Sequence, residues 1–179
     1  EENPITFTGS SDAPWYYLTF TSYTGEGSVL SYCVIENGGA GGAGMVYLNT
    51  SNTNNLTIDH CTFRNSVSYP IYVASPQSLS AIDDTSTYTD NKDNRIYFGV
   101  TTLTNDGTMV NAGTPYLFSG NLYIQNNATL TIAPGVEIYL NSTRQIIIGN
   151  GSTGTLVAKG TEENPITFTG SSDAPWYYL

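Results

Sequence analysis

Two stretches of equal length, "SVLSYCVIEN" (28–37) and "LTIDHCTFRN" (56–65), align without a gap. In that alignment Leu30 lies over Ile58, Cys33 over Cys61, Ile35 over Phe63 and Asn37 over Asn65. A chain that sets like over like at such an interval is coiling. In a coil, neighbouring strands lie about 4.8 Å apart and equivalent side chains stack into continuous ladders.

The rest of the chain keeps this rhythm. Runs such as "PITFTG", "WYYLTF", "MVYLN", "PIYVAS", "RIYFGV", "NLYIQ", "RQIIIGN" and "TLVAKG" are separated by Gly, Asn, Pro or Ser. They read as short strands with almost no helical periodicity. "VEIYL" (136–140) is answered by "PITFT" (165–169) at a similar interval. Steps of about 20–30 residues are the mark of a solenoid, in which each turn buries its apolar face only against its neighbours. The opening segment 1–18, "EENPITFTGSSDAPWYYL", returns letter for letter as 162–179. The chain therefore reads as one full unit, 1–161, followed by the start of an identical unit, 162–179. The alternative is an artificial duplication or a choice of ends at a repeat boundary, and both still imply tandem copies or a permuted reading of one copy.

Composition narrows the function. Five Lys and Arg against 15 Asp and Glu give a net charge of −10. Such a surface repels nucleic-acid phosphates and anionic membranes, and no apolar run reaches the roughly 18 residues of a membrane span. Two cysteines do not make a disulfide framework.

The segment "LTIAPGVEI", with "GTLVAKGT" and "NPITFTG" after it, resembles the recurring unit of right-handed parallel β-helix domains in large extracellular proteins of bacteria and archaea. "VLSYCVIENGG" and "LTIDHCTFRN" are similar to coils of pectate-lyase-like helices. The resemblance spans most of 1–75 and 115–179. It implies an all-β, right-handed parallel β-helix (a β-solenoid) with about seven coils in the unit 1–161. The segment 76–114 departs from the pattern and is expected to form a loop excursion. The fold serves enzymes, adhesins and surface layers alike, so it does not by itself set the activity.

Candidate sites follow from residue type and register. Cys33 and Cys61 are expected as an interior ladder of free thiols. At one strand spacing a disulfide remains the alternative, whereas zinc would need two further ligands. Asn37 and Asn65 are expected as an asparagine ladder at an inward turn, each amide reaching the next coil. Glu36 and Arg64, one position earlier, face out and can pair. Asp59 and His60 are adjacent acid and imidazole, but neighbours on an extended strand face opposite ways, which speaks against a catalytic dyad. Asp83, Asp84, Asp90 and Asp93, with Asn91 and Asn94, form an oxygen-rich stretch suited to Ca²⁺. Its spacing is not that of an EF-hand, and a solvated acidic loop is the rival. Asn49, Asn55, Asn127, Asn141 and Asn150 head N-x-S/T sequons at strand ends or turns, where N-linked glycans fit in a secreted protein.

The expected function is structural: a tandem module of an extracellular fibre or cell-surface protein, with further copies of itself and N-linked glycans as partners. No catalytic residue, no cofactor beyond the Ca²⁺ option, no nucleic acid and no membrane insertion are expected. A carbohydrate-active enzyme or sugar-binding adhesin on the same scaffold is the rival. The enzyme would show as a cleft with several acids and a base. Sugar binding would show as an exposed aromatic row, with Tyr16, Tyr17, Tyr47 and Tyr72 as candidates.

Overall fold

The computed structural model describes residues 3–53, 55–141 and 143–170. Its chain winds as a parallel β-solenoid of about six turns, one fewer than the sequence periods suggest. The first turn carries β1 (Ile5–Thr8), β2 (Leu18–Phe20) and β3 (Ser28–Ser31), and the second β4 (Cys33–Glu36), β5 (Val46–Leu48) and β6 (Leu56–Asp59). The third has β7 (Thr62–Arg64) and β8 (Ile71–Val73), with a 3-10 helix, Pro76–Ala81, in place of its last strand. β9 (Thr87–Thr89), β10 (Ile96–Phe98), β11 (Thr102–Leu103) and β12 (Gly107–Met109) make the fourth. The fifth has β13 (Tyr116–Phe118), β14 (Leu122–Ile124) and β15 (Thr129–Ile132), and the sixth β16 (Glu137–Leu140), β17 (Ile146–Ile148) and β18 (Thr155–Ala158). β19 (Thr167–Gly170) opens another turn.

One seven-stranded parallel sheet, β19-β16-β13-β10-β8-β5-β2, runs the whole length. The other faces change midway. Turns one to four share a four-stranded face, β1-β4-β7-β9, while turns four to six carry β11-β14-β17 and β12-β15-β18. Beyond β9 the first face is replaced by tight turns. Between the fifth and sixth turns this is Ala133–Val136, where Gly135 has a φ of 78° that side chains disfavour.

Segment 76–114 is therefore not an excursion. Its helix holds the place of a strand, and β9 to β12 pair with the neighbouring turns. Its residues look different because a strand is added and a face is lost there. The "SVLSYCVIEN" and "LTIDHCTFRN" runs are likewise not single strands. Tyr32 and His60 take φ of 52° and 49° and turn a corner between two faces.

The core follows the expected register. Leu30 stands beside Ile58 and Ile35 beside Phe63, and all four are buried. On the long sheet Phe20, Leu48, Val73, Phe98, Phe118 and Leu140 form one inward row, with the Phe98 and Phe118 rings stacked at 4.7 Å. Cys33 and Cys61 are buried and free. Burial pushes the Cys61 thiol up to about 11.

Candidate functional site

Strand alternation sends every second residue of the long sheet outward. At equivalent outward positions of β5, β8 and β10 stand Tyr47, Tyr72 and Tyr97. Their rings stack at 5.1 and 4.5 Å, with interplanar angles of 28° and 24°. Tyr17 joins one end at 5.9 Å, and Tyr16 meets Tyr17 edge-on at 6.2 Å. Tyr69 packs on Tyr97 at 4.8 Å. Gly99 makes room for this row, since a Cβ there would collide with the Tyr72 ring and hydroxyl. The Tyr97 hydroxyl bonds to Ser119. Burial raises the phenols of Tyr69 and Tyr72.

The structure thus assembles the four expected tyrosines and adds Tyr69 and Tyr97. The equal steps from Tyr47 to Tyr72 to Tyr97 were the available signal. Further along the sheet Tyr139 carries Arg95 over its ring at 4.4 Å. Asp93 holds that guanidinium through contacts of 2.8 and 2.6 Å. Within the row Tyr47, Tyr72 and Tyr97 lie face against face, whereas Tyr17 and Tyr69 are tilted on their neighbours. Tyr16 is the most open of the group, at 68%.

A second feature is the corner after the first face. Asn37, Asn65 and Asp90 repeat there with φ of 54°, 56° and 54°. The asparagine ladder is at a turn but not inward: Asn37 is half-buried and Asn65 exposed. A left-handed corner throws the side chain outward. The Asn37 amide still reaches the adjacent turn, donating to Thr8 Oγ1 at 3.2 Å. The inward amide is Asn91, which donates to the Phe63 carbonyl at 3.0 Å and accepts from the Ser66 N–H at 2.9 Å. A groove of about 640 Å³ runs along this corner, between Ser10, Pro14, Asn37, Asn65, Asp90 and Lys92. It brings together one acid and one base.

Beside it, Arg64 Nε donates to Glu36 Oε2 at 2.6 Å, and this bond holds the Glu36 carboxyl below its usual range. At the other corner Tyr32 and His60 stack at 4.6 Å. His60 Nδ1 lies 3.3 Å from Asp59 Oδ1. The two neighbours share a side, contrary to strand alternation, because His60 itself is the left-handed corner residue that follows the strand. The Ser31 hydroxyl donates to Asp59 and lowers its carboxyl pKa.

The acidic stretch does not converge. Asp83 accepts from the Thr85 N–H and hydroxyl, Asp93 holds Arg95, and Asp90 sits at the corner. Among the described residues no three His, Cys, Asp or Glu side chains are grouped to hold a metal ion. Strand β9 lies between the two halves of the stretch expected to suit Ca²⁺, with Asp83 and Asp84 before it and Asp90 and Asp93 after it. Of the sequon asparagines, Asn49, Asn127, Asn141 and Asn150 are exposed. Asn55 is half-buried and donates its amide to the Thr24 carbonyl at 2.8 Å, so its nitrogen is already engaged.

Residues 101–176 match the pectate-lyase-like beta helix domain family. With a parallel β-solenoid as the fold, the resemblance drawn from the sequence holds. The match begins inside the segment that departs from the sequence pattern. No curated protein and no solved structure matches the chain. Among the described residues no helix is long and apolar enough to cross a membrane.

Proposed function

We propose that the chain is a structural tandem module of an extracellular fibre or cell-surface protein, built by end-to-end addition of further copies and carrying N-linked glycans. One observation carries this reading. The sequence "TFTG" stands near both ends of the solenoid, as Thr6–Gly9 and as β19. Phe7 points inward beside Ile35, and Phe168, its duplicate, points inward beside Ile138. Each is half-buried because each has a neighbour on one side only among the described residues. In a continuous array one phenylalanine would lie between Ile138 of one copy and Ile35 of the next. The N–H and C=O groups of the terminal strands would be paired as well, leaving no open sheet edge at the junction.

The remaining site geometry supports a non-catalytic role. A cleft lined by several acids and a base would favour polysaccharide cleavage, whereas among the described residues Asp90 and Lys92 are the ionisable side chains that line the corner groove. The test is solution scattering and imaging of a chain extended by whole copies. A rod that lengthens by roughly 29 Å per copy, six turns at about 4.8 Å, is expected. Separate globular lobes would sink the reading.

Sugar binding is the second reading, favoured by the tyrosine row and the exposed Tyr16 and Tyr17. Titration with neutral and acidic oligosaccharides tests it. Saturable binding lost in Tyr16→Ala would favour it over a purely structural role.

A further inference from the structure

We infer that successive copies continue the solenoid with each copy turned by one face, about a third of a turn, relative to the one before. This rests on the tandem reading above. β1 and β19 share the "TFT" of the duplicated segment, yet they lie on different faces. β1 pairs with β4 in the four-stranded face, and β19 pairs with β16 in the long sheet. The duplicated phenylalanine points inward in both places, so the strand is not flipped but moved.

The cause lies in the fourth turn. Early turns visit the first face, the long sheet and the β3-β6 face in that order. Later turns visit the long sheet, then β11-β14-β17, then β12-β15-β18. One face has been added after the long sheet, and the first has shrunk to the Ala133–Val136 type of turn. The unit therefore contains about six turns plus one face. When the next copy starts, the long sheet takes the role that the first face had.

The rest of the docking follows from strand order. In the first copy the segment 10–17 leads from Gly9 to Leu18, at the start of the next face. The same sequence leads on from Gly170, although residues 171–179 lie outside those described. It would deliver the second-copy Leu18–Phe20 strand over β17, and the second-copy Ser28–Ser31 strand over β18. The apolar residues suit this. Ile146 and Ile148 of β17 follow the inward Leu122 and Ile124, and Ile148 is 43% exposed. Leu18 and Phe20, inward beside Val46 and Leu48, are only half-buried at the opposite end of the solenoid. Stacked, each would cover the other. A consequence is that the tyrosine row moves to the next face with every copy and returns after three, roughly 90 Å along the axis.

The test is the full chain extended after Leu179 by a second copy of residues 19–161. One variant carries Ile147→Cys with Thr19→Cys in the second copy, both outward positions. A control carries Tyr139→Cys with the same second-copy Thr19→Cys, which become neighbours only if β19 leaves its place on β16 and the copies stack without rotation. Each folded protein is treated with a short bifunctional thiol reagent, digested and peptide-mapped. The inference expects the Ile147 pair joined in one cross-linked peptide and the Tyr139 pair modified separately. The reverse pattern on a continuous rod overturns the rotation and leaves the tandem reading standing. No cross-link in either variant overturns the rotation, and two separate lobes in scattering overturn the tandem reading as well. Imaging of a longer array gives an independent measure: a screw of about 120° with a rise of about 29 Å supports the inference, and a pure translation refutes it.

Discussion

Phe63 lies between Ile35 and Tyr88 on the inner side of the first face, fully buried, with the Tyr88 ring stacked on it at 5.2 Å. Removing that ring leaves a cavity that a closed coil cannot collapse. Phe63→Ala is expected to cost about 3–5 kcal/mol, read as a fall in the thermal midpoint of roughly 2–4 °C per kcal/mol for a chain of this size. An unchanged midpoint would refute the register. Cys61 offers a chemical probe of the same interior. With its thiol pushed up to about 11 by burial, it should resist a thiol reagent at mildly alkaline pH in the native protein and react on unfolding. Rapid native labelling of both thiols would contradict the interior ladder. Asp93 shows the pH dependence. Burial works against its charge, but the Arg95 hydrogen bond prevails and lowers its pKa. A lowered folded pKa gives stability that is present above the ordinary carboxylate value of about 3.9 and is lost as pH falls through the lowered one. Asp93→Asn should therefore lose stability at neutral pH and show a shallower decline on acidification, measured by denaturant unfolding across a pH series.

At the scale of the element, the coils are held at a fixed spacing, and glycines mark where nothing larger fits. A Cβ on Gly154 would collide with the backbone oxygen of Ile124 in the adjacent turn. A backbone atom cannot swing aside as a side chain can. Gly154→Ala should push the link between β17 and β18 away from the end of β14 and cost about 1–3 kcal/mol. A neutral effect in chemical denaturation would show that the turns are more loosely stacked there. Much of the stacking was legible in the chain. The pairing of Leu30 with Ile58 and of Ile35 with Phe63 came from spacing alone, because stacked strands need like residues at one interval. The corners were not legible. Tyr32 and His60 sit inside runs that alternate like strands, and their left-handed φ depends on the adjacent turn, where the Tyr32 N–H bonds to the Asp59 carbonyl at 3.2 Å. The same corner brought Asp59 to His60, which alternation denies.

For the whole molecule, glycan attachment is the most direct check on a surface location. Sugar is expected on one or more of Asn49, Asn127, Asn141 and Asn150, and not on Asn55. Intact mass of native material before and after glycan removal, followed by peptide mapping, measures this. No mass change would remove the glycan partner, and sugar on Asn55 would mean its bond to Thr24 is open in the native state.

The sequence by itself determined the coil, the apolar ladder and the recurrence of residues 1–18 as 162–179, because the first two are set by spacing, and spacing is written in the chain. It also placed Tyr16, Tyr17, Tyr47 and Tyr72 as candidates for one aromatic row. Only the tertiary structure decided which face each strand joins, since an added strand and a tight turn contribute similar numbers of residues. It alone showed that Tyr69 and Tyr97 complete the row, that Asn37 and Asn65 point outward, and that the acidic stretch is divided. Neighbourhood across turns, unlike the length of a turn, depends on how the whole cross-section closes.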